Sequence, residues 1–123
     1  MAIRKLQDEI IIYFSKEDGC WIAHSLRTDQ IGTGGRIVDA LADALKAIDE
    51  VFDLAARDKT VAHLREAPAE VKRKVKRSAR LPREIYEIAH QKARGHWPKD
   101  WTAPELKGSQ VKTFRAEFHG TAA

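Results

Sequence analysis

Residues 8–26 decide the fold, and they read DEIIIYFSKEDGCWIAHSL. Residues 10–14 are β-branched and aromatic, and their side chains alternate between two faces, as in a β-strand. A second alternating run covers residues 20–26. The turn between the runs ends in Asp18-Gly19, a pair that tolerates the positive φ of a tight hairpin. This order predicts an antiparallel β-hairpin with strands at residues 8–15 and 20–26.

A long amphipathic helix is predicted at residues 36–57. Apolar residues such as Leu41, Ala44 and Ile48 recur there at helical spacing, and acidic residues occupy the opposite face. Residues 30–33 fit a short third strand, and Gly34-Gly35 separates that strand from the helix. The first half is therefore predicted to be an α+β module, a small antiparallel sheet packed on one long helix.

The second half has weaker patterns. Pro68 and Pro82 each stand near the start of a helix-compatible run, and Gly95 ends the second run. Residues 111–118 alternate weakly and fit a late strand. The predicted organisation is a β-β-β-α module at residues 1–58, followed by a basic, mainly helical extension at residues 59–123.

Charge is distributed unevenly along the 123 residues, although the net charge is a modest +4. Residues 1–56 contain six Lys and Arg against ten Asp and Glu, whereas residues 57–96 contain twelve against five. This asymmetry indicates two surfaces with different partners. The alternative is a solvated helical face that happens to be rich in Lys and Arg.

Several classes of protein are disfavoured by the sequence. No run approaches the apolar length of a transmembrane helix, so no membrane partner is expected. A single cysteine and the absence of a signal-peptide pattern favour the cytoplasm. The five histidines include no pair with the spacing of a zinc site, and no nucleophile elbow or P-loop is present. No catalytic residue, metal or cofactor is therefore predicted, and an uncharacterised enzyme stays an open alternative.

The basic middle of the chain is the candidate nucleic-acid-binding region. Lysine and arginine side chains clustered along one helix can contact phosphates, with largely sequence-independent affinity for DNA or RNA. The candidate residues are Lys72, Arg73, Lys74, Lys76, Arg77, Arg80 and Arg83.

Both faces of the predicted hairpin carry apolar side chains, and one helix covers only one face. The predicted partner-binding patch on the other face consists of Ile11, Tyr13, Trp21 and Ala23. Exposed apolar patches mark interaction surfaces, so this patch predicts a homodimer. The alternative is that Trp97, Trp101 and Phe114 fold back over the same face and leave a monomer.

Residues 11–51 contain three short motifs: DGCWIAH at residues 18–24, IGTG at residues 31–34, and DAL at residues 39–41 followed by Ala44-Leu45. In these motifs the stretch resembles the HicB-like antitoxin family, whose members run strand, Asp-Gly turn, strand, short strand, Gly-rich entry and helix. The resemblance implies a partial ribonuclease-H-type fold without catalytic activity. It further implies a small ribonuclease toxin as protein partner, and a C-terminal DNA-binding segment. The expected function is that of a non-enzymatic binding module.

Overall fold

The structure is a computed structural model and describes residues 4–57, 66–95 and 113–122. Its strands are β1 (Arg4–Ser15), β2 (Cys20–Ser25), β3 (Ile31–Gly34), β4 (Ala79–Arg80) and β5 (Thr113–Ala122). Its helices are α1 (Ile37–Arg57), α2 (Ala69–Arg73) and α3 (Arg83–Ala93), with a 3-10 turn at Lys74–Arg77 between α2 and β4. The predicted α+β class is confirmed, with one long helix packed against a sheet.

The β1–β2 hairpin forms where the sequence places it. Gly19 has a φ of +66°, a conformation that a residue without Cβ adopts at low cost. Its N–H donates to the carbonyl of Ser15 at 2.8 Å, and the Ser15 hydroxyl donates to the Asp18 carboxylate at 2.9 Å. These bonds close the turn between Ser15 and Cys20, which face each other as the last pair of the ladder.

The strand order in the sheet is β3-β2-β1-β5-β4. All neighbours are antiparallel except β4 and β5, which are parallel. The predicted late strand is confirmed as β5, which pairs with β1 from Tyr13 opposite Thr113 to Arg4 opposite Ala122. Described residues from both sides of the predicted boundary at residue 58 therefore build one sheet.

Helices α1 and α3 cover one face of this sheet, called here the helix face. The strands contribute Ile10, Ile12, Ala23, Phe114, Ala116 and Phe118 to the shared core, and α1 contributes Leu41, Leu45 and Ile48. Burial of each large apolar side chain stabilises the fold by about 1.5–3 kcal/mol. From α3, Ile85 and Ala89 join the same core. Within the described ranges, no helix is long and apolar enough to cross a membrane.

Two glycines of β3 set the distance between α1 and the sheet. A Cβ on Gly32 would overlap the backbone of Ala40 and Ala44, and one on Gly34 would overlap Asp39 and Ala40. Side chains at these positions would push the helix away from the sheet. The IGTG motif is thus a close-contact surface for α1.

The register of the hairpin contradicts the predicted partner patch. Ala23 lies opposite Ile12 and Trp21 opposite Phe14, so both β2 residues lie on the helix face. Ile11 lies opposite His24 on the other face, and Tyr13 lies there beside Ile22. The prediction that Ile11, Tyr13, Trp21 and Ala23 form one continuous surface is wrong, because the four-residue turn fixes which residues of the two strands share a face.

The face of Ile11 and Tyr13, called here the second face, is partly covered by the chain itself. Ile11 has no exposed surface although it lies outside the helix-face core. The ammonium group of Lys74 lies 4.6 Å from the centre of the Tyr13 ring, which places the 3-10 turn on this face. Ile31, at the sheet edge, is 53% exposed.

The fold-back alternative has a mixed outcome. Trp97 and Trp101 lie outside the described residues. Phe114 lies beside β1 in the sheet and contributes to the helix-face core, so it does not cover the second face. The cover that the structure shows on that face comes instead from the 3-10 turn, through Lys74.

Candidate nucleic-acid interface

The basic segment is built from three successive local structures. Pro68 precedes α2 as its N-cap residue, and the 3-10 turn follows α2 directly. The Ser78 hydroxyl donates to the carbonyl of Val75 at 2.6 Å and ends the turn. The chain then becomes extended and pairs with β5 as β4. The helix-compatible run that the sequence places after Pro68 is thus partly α-helix and partly 3-10 turn.

Two contacts and the burial of one side chain fix the position of this segment. Val71 is buried, with 8% of its surface exposed. The N–H of Ala67 donates to the carbonyl of Leu26 at 2.8 Å, which ties the start of the segment to the end of β2. Lys74 makes the contact with Tyr13, and burial, followed by the charge of Asp18, raises the pKa of that phenol. The neutral ring thus offers its face to the ammonium group.

Three of the seven predicted basic residues have partners in the fold. Lys72 forms an ion pair with Glu66 at 2.5 Å, and this hydrogen bond lowers the pKa of the Glu66 carboxyl. Arg83 pairs with Glu87 at 3.0 Å, one turn later on α3. Lys74 lies over Tyr13. The charges of Lys72 and Arg83 are partly compensated, and exposed pairs of this kind add little stability.

The other four basic residues are exposed and uncompensated. The side chains of Arg73, Lys76, Arg77 and Arg80 form no ion pair or hydrogen bond with any residue that the structure describes. We call these four residues the basic face.

Acidic side chains dominate the exposed surface of α1. Asp43, Asp49, Glu50 and Asp53 are exposed on α1, which lies on the helix face of the sheet. The basic segment lies on the second face, as the Lys74–Tyr13 contact shows. The acidic side chains of α1 and the basic segment therefore lie on different faces of the sheet.

A small ion-pair cluster joins the two helices of the helix face. Asp39 accepts a hydrogen bond from Arg36 at 2.8 Å and another from Lys92 of α3. Hydrogen bonding to Arg36, together with Lys92, lowers the pKa of the Asp39 carboxyl against the opposing effect of burial. This cluster holds α3 on α1.

A buried polar network occupies the end of the hairpin. Asp8 accepts hydrogen bonds from the hydroxyls of Ser25 and Thr28, and from the N–H of Arg27 at 3.0 Å. His24 contacts Asp29 at 2.5 Å. Consecutive residues of a strand point to opposite faces, so His24 and Ser25 do not form a base–nucleophile pair. The network fixes the turn after β2.

Metal-ligating residues do not cluster in the described part of the chain. No group of three or more His, Cys, Asp or Glu side chains there could hold a metal ion. His90 on α3 is half-buried, and burial, with Arg94, lowers the pKa of its imidazole. Cys20 is a free thiol at the start of β2.

Sequence reasoning missed two residues that the fold brings to the basic segment. Arg115 of β5 is the ladder partner of Arg80, and Tyr86 of α3 lines a cleft with both of them and with Arg83. The alternating pattern of residues 111–118 separates Arg115 from Phe114 and so marks it as pointing away from the core. Its proximity to Arg80 depends on a strand pairing across more than thirty residues.

Comparison with protein-family models, curated proteins and solved structures finds no match for this chain.

Proposed function

We propose that the protein is a nucleic-acid-binding module that contacts phosphates with its basic face, Arg73, Lys76, Arg77 and Arg80. The observation that carries the proposal is that these four exposed cations have no acidic partner among the described residues. Cations already paired within a protein must lose a partner to bind phosphate, whereas uncompensated ones release counterions from the nucleic acid directly.

The setting of these residues supports the proposal. Buried Val71 and the Lys74–Tyr13 contact anchor the segment on the sheet, so that the cations project from a fixed backbone. The acidic surface of α1 lies on the opposite side of the sheet and would orient the molecule toward a polyanion. Contacts to phosphates carry no sequence information by themselves, so binding is expected to tolerate different sequences.

A matched pair of lysine variants tests the proposal. Lys76→Gln and Lys46→Gln remove the same charge from exposed lysines, one on the basic face and the other on α1. Neither lysine has an ion-pair partner in the described ranges, so both variants should fold like the wild type. Fluorescence anisotropy with labelled single-stranded DNA, duplex DNA and RNA then compares the affinities at one fixed salt concentration.

The proposal predicts that Lys76→Gln weakens binding to every nucleic acid that the wild type binds, and that Lys46→Gln does not. Removal of one phosphate contact should also reduce the salt slope of binding by about 1. Equal affinities for the two variants would contradict the proposal, as would a wild type that binds none of the three nucleic acids. The three probes also decide between DNA and RNA.

The second candidate is a protein-binding module of the HicB-like type, with a small ribonuclease toxin as partner. It is supported by the tight packing of Gly32 and Gly34 on Ala40 and Ala44, because these residues belong to the motifs that carry the resemblance. The test is co-expression with a small basic protein encoded beside this gene. Co-purification together with loss of ribonuclease activity would support an antitoxin, and a neighbour that is never retained would refute it.

A further inference from the structure

A cleft of about 630 Å³ lies beside the basic face, where β4 ends and α3 begins. Its walls include arginines from three elements: Arg80 of β4, Arg83 of α3 and Arg115 of β5. Buried Leu81 also lines the cleft, and its N–H donates to the carbonyl of Arg115 at 2.8 Å. This bond fixes the start of α3 against β5, so the cleft has a defined backbone frame.

The charges in this cleft are unbalanced. Arg80 and Arg115 are ladder partners in neighbouring parallel strands, and their side chains therefore lie on the same face of the sheet. Like charges side by side on adjacent strands destabilise a sheet. Glu117 also lines the cleft, and Arg83 is already paired with Glu87 outside it. Two arginines that have no ion pair among the described residues, Arg80 and Arg115, thus line the cleft with one carboxylate, and an anion would relieve their repulsion.

We infer that this cleft binds the phosphomonoester group of a nucleotide, either as a free mononucleotide or as the terminal phosphate of a strand. The planar guanidinium group matches phosphate oxygens with two parallel hydrogen bonds, and several arginines can share one phosphate. The cleft volume lies within the range of small-molecule sites, so there is room for more than the phosphate.

Tyr86 is the second side chain type in the cleft that could recognise a nucleotide. It is half-buried on the wall of the cleft, and burial raises the pKa of its phenol. The hydroxyl group therefore keeps its proton at neutral pH and can donate a hydrogen bond. Its ring offers an apolar surface against which a ribose or a base can pack.

The inference rests in part on the proposed function, because Arg80 belongs to both the basic face and the cleft. Two variants distinguish binding in the cleft from binding on the basic face. Arg115→Gln changes a residue that lines the cleft outside the basic face, and Arg73→Gln changes the basic face outside the cleft. Because Arg115 is half-buried, Arg80→Gln serves as a second, exposed cleft variant.

Isothermal titration calorimetry with AMP, adenosine and inorganic phosphate measures binding to the cleft. Wild type should bind AMP, and Arg115→Gln and Arg80→Gln should each bind it at least about tenfold more weakly, since each loses charge-assisted hydrogen bonds. Arg73→Gln should bind AMP like the wild type. Adenosine should bind weakly or not at all. A wild type without affinity for AMP, or equal affinities in wild type and both cleft variants, overturns the inference.

Oligonucleotides with and without a 5′-phosphate distinguish the two sources of the phosphomonoester. Tighter binding of the phosphorylated strand, lost in Arg115→Gln, identifies the end of a strand, and AMP binding without this preference identifies a free nucleotide. Oligonucleotide binding that persists without AMP binding overturns the cleft inference alone. AMP binding without any oligonucleotide binding overturns the proposed function alone.

Discussion

Replacement of Gly32 by alanine should destabilise the fold markedly, because the new Cβ would overlap the backbone of Ala40 and Ala44 in α1. Overpacking of a core costs about 1–3 kcal/mol. Alanine also restricts the backbone of the unfolded chain, which stabilises the folded state by about 0.4–1 kcal/mol. From the middle of these two ranges the net loss should be about 1.3 kcal/mol, which corresponds to a fall of roughly 0.5–1 M in the urea midpoint.

Gly35 is the matched control for this change. A Cβ on Gly35 would have no atom within 4 Å, and its φ is not positive, so Gly35→Ala should keep or slightly raise the stability. Urea unfolding followed by far-UV circular dichroism measures both variants. Equal midpoints for Gly32→Ala, Gly35→Ala and the wild type would refute the close packing of α1 on β3.

Three further predictions concern pH, the buried network and self-association. Hydrogen bonding to Arg36 lowers the pKa of Asp39 in the folded protein, so the pair stabilises the fold above the ordinary carboxyl pKa and loses this effect as the pH falls through the lowered value. The difference in urea midpoint between wild type and Asp39→Asn should therefore shrink on acidification below about pH 4, and a constant difference would contradict the pairing. Ser25→Ala removes a hydrogen-bond donor from buried Asp8 and should cost about 1–3 kcal/mol in urea unfolding; an unchanged midpoint would exclude a stabilising role for this bond. The predicted homodimer would have to use the part of the second face that stays open, so Ile31→Lys should halve the mass seen by light scattering; a wild-type mass constant at 13.9 kDa would refute the dimer.

The sequence predicts those parts of the fold that depend on local patterns. The hairpin, α1 and the end of α3 follow from alternation, helical spacing and the turn residues Gly19 and Gly95, both of which have a positive φ. The length of the turn also determines the register of the two strands. Counting outward from the pair Ser15 and Cys20 places Ile11 opposite His24. The predicted patch is wrong because it places Trp21 on the same face as Ile11, whereas the same counting pairs Trp21 with Phe14 on the other face.

Long-range pairings could not be predicted from local patterns. The position of β5 between β1 and β4 depends on partners that are far away in the chain, and the two-residue strand β4 carries no alternation of its own. Composition alone indicates the basic segment. Tertiary structure determines that Lys72 pairs with Glu66 and that Arg80 lies beside Arg115. The sequence therefore indicates the candidate surface, and the fold shows which of its charges have no partner among the described residues.

The salt dependence of nucleic-acid binding tests the central claim most directly. Each phosphate that a protein neutralises contributes about −0.9 to the slope of log K against log salt for duplex DNA, and about −0.7 for single strands. If all four cations of the basic face contact phosphates, the wild-type slope should be roughly −3 to −4. A slope near zero, or one that Lys76→Gln leaves unchanged, would contradict the claim that this face binds nucleic acid.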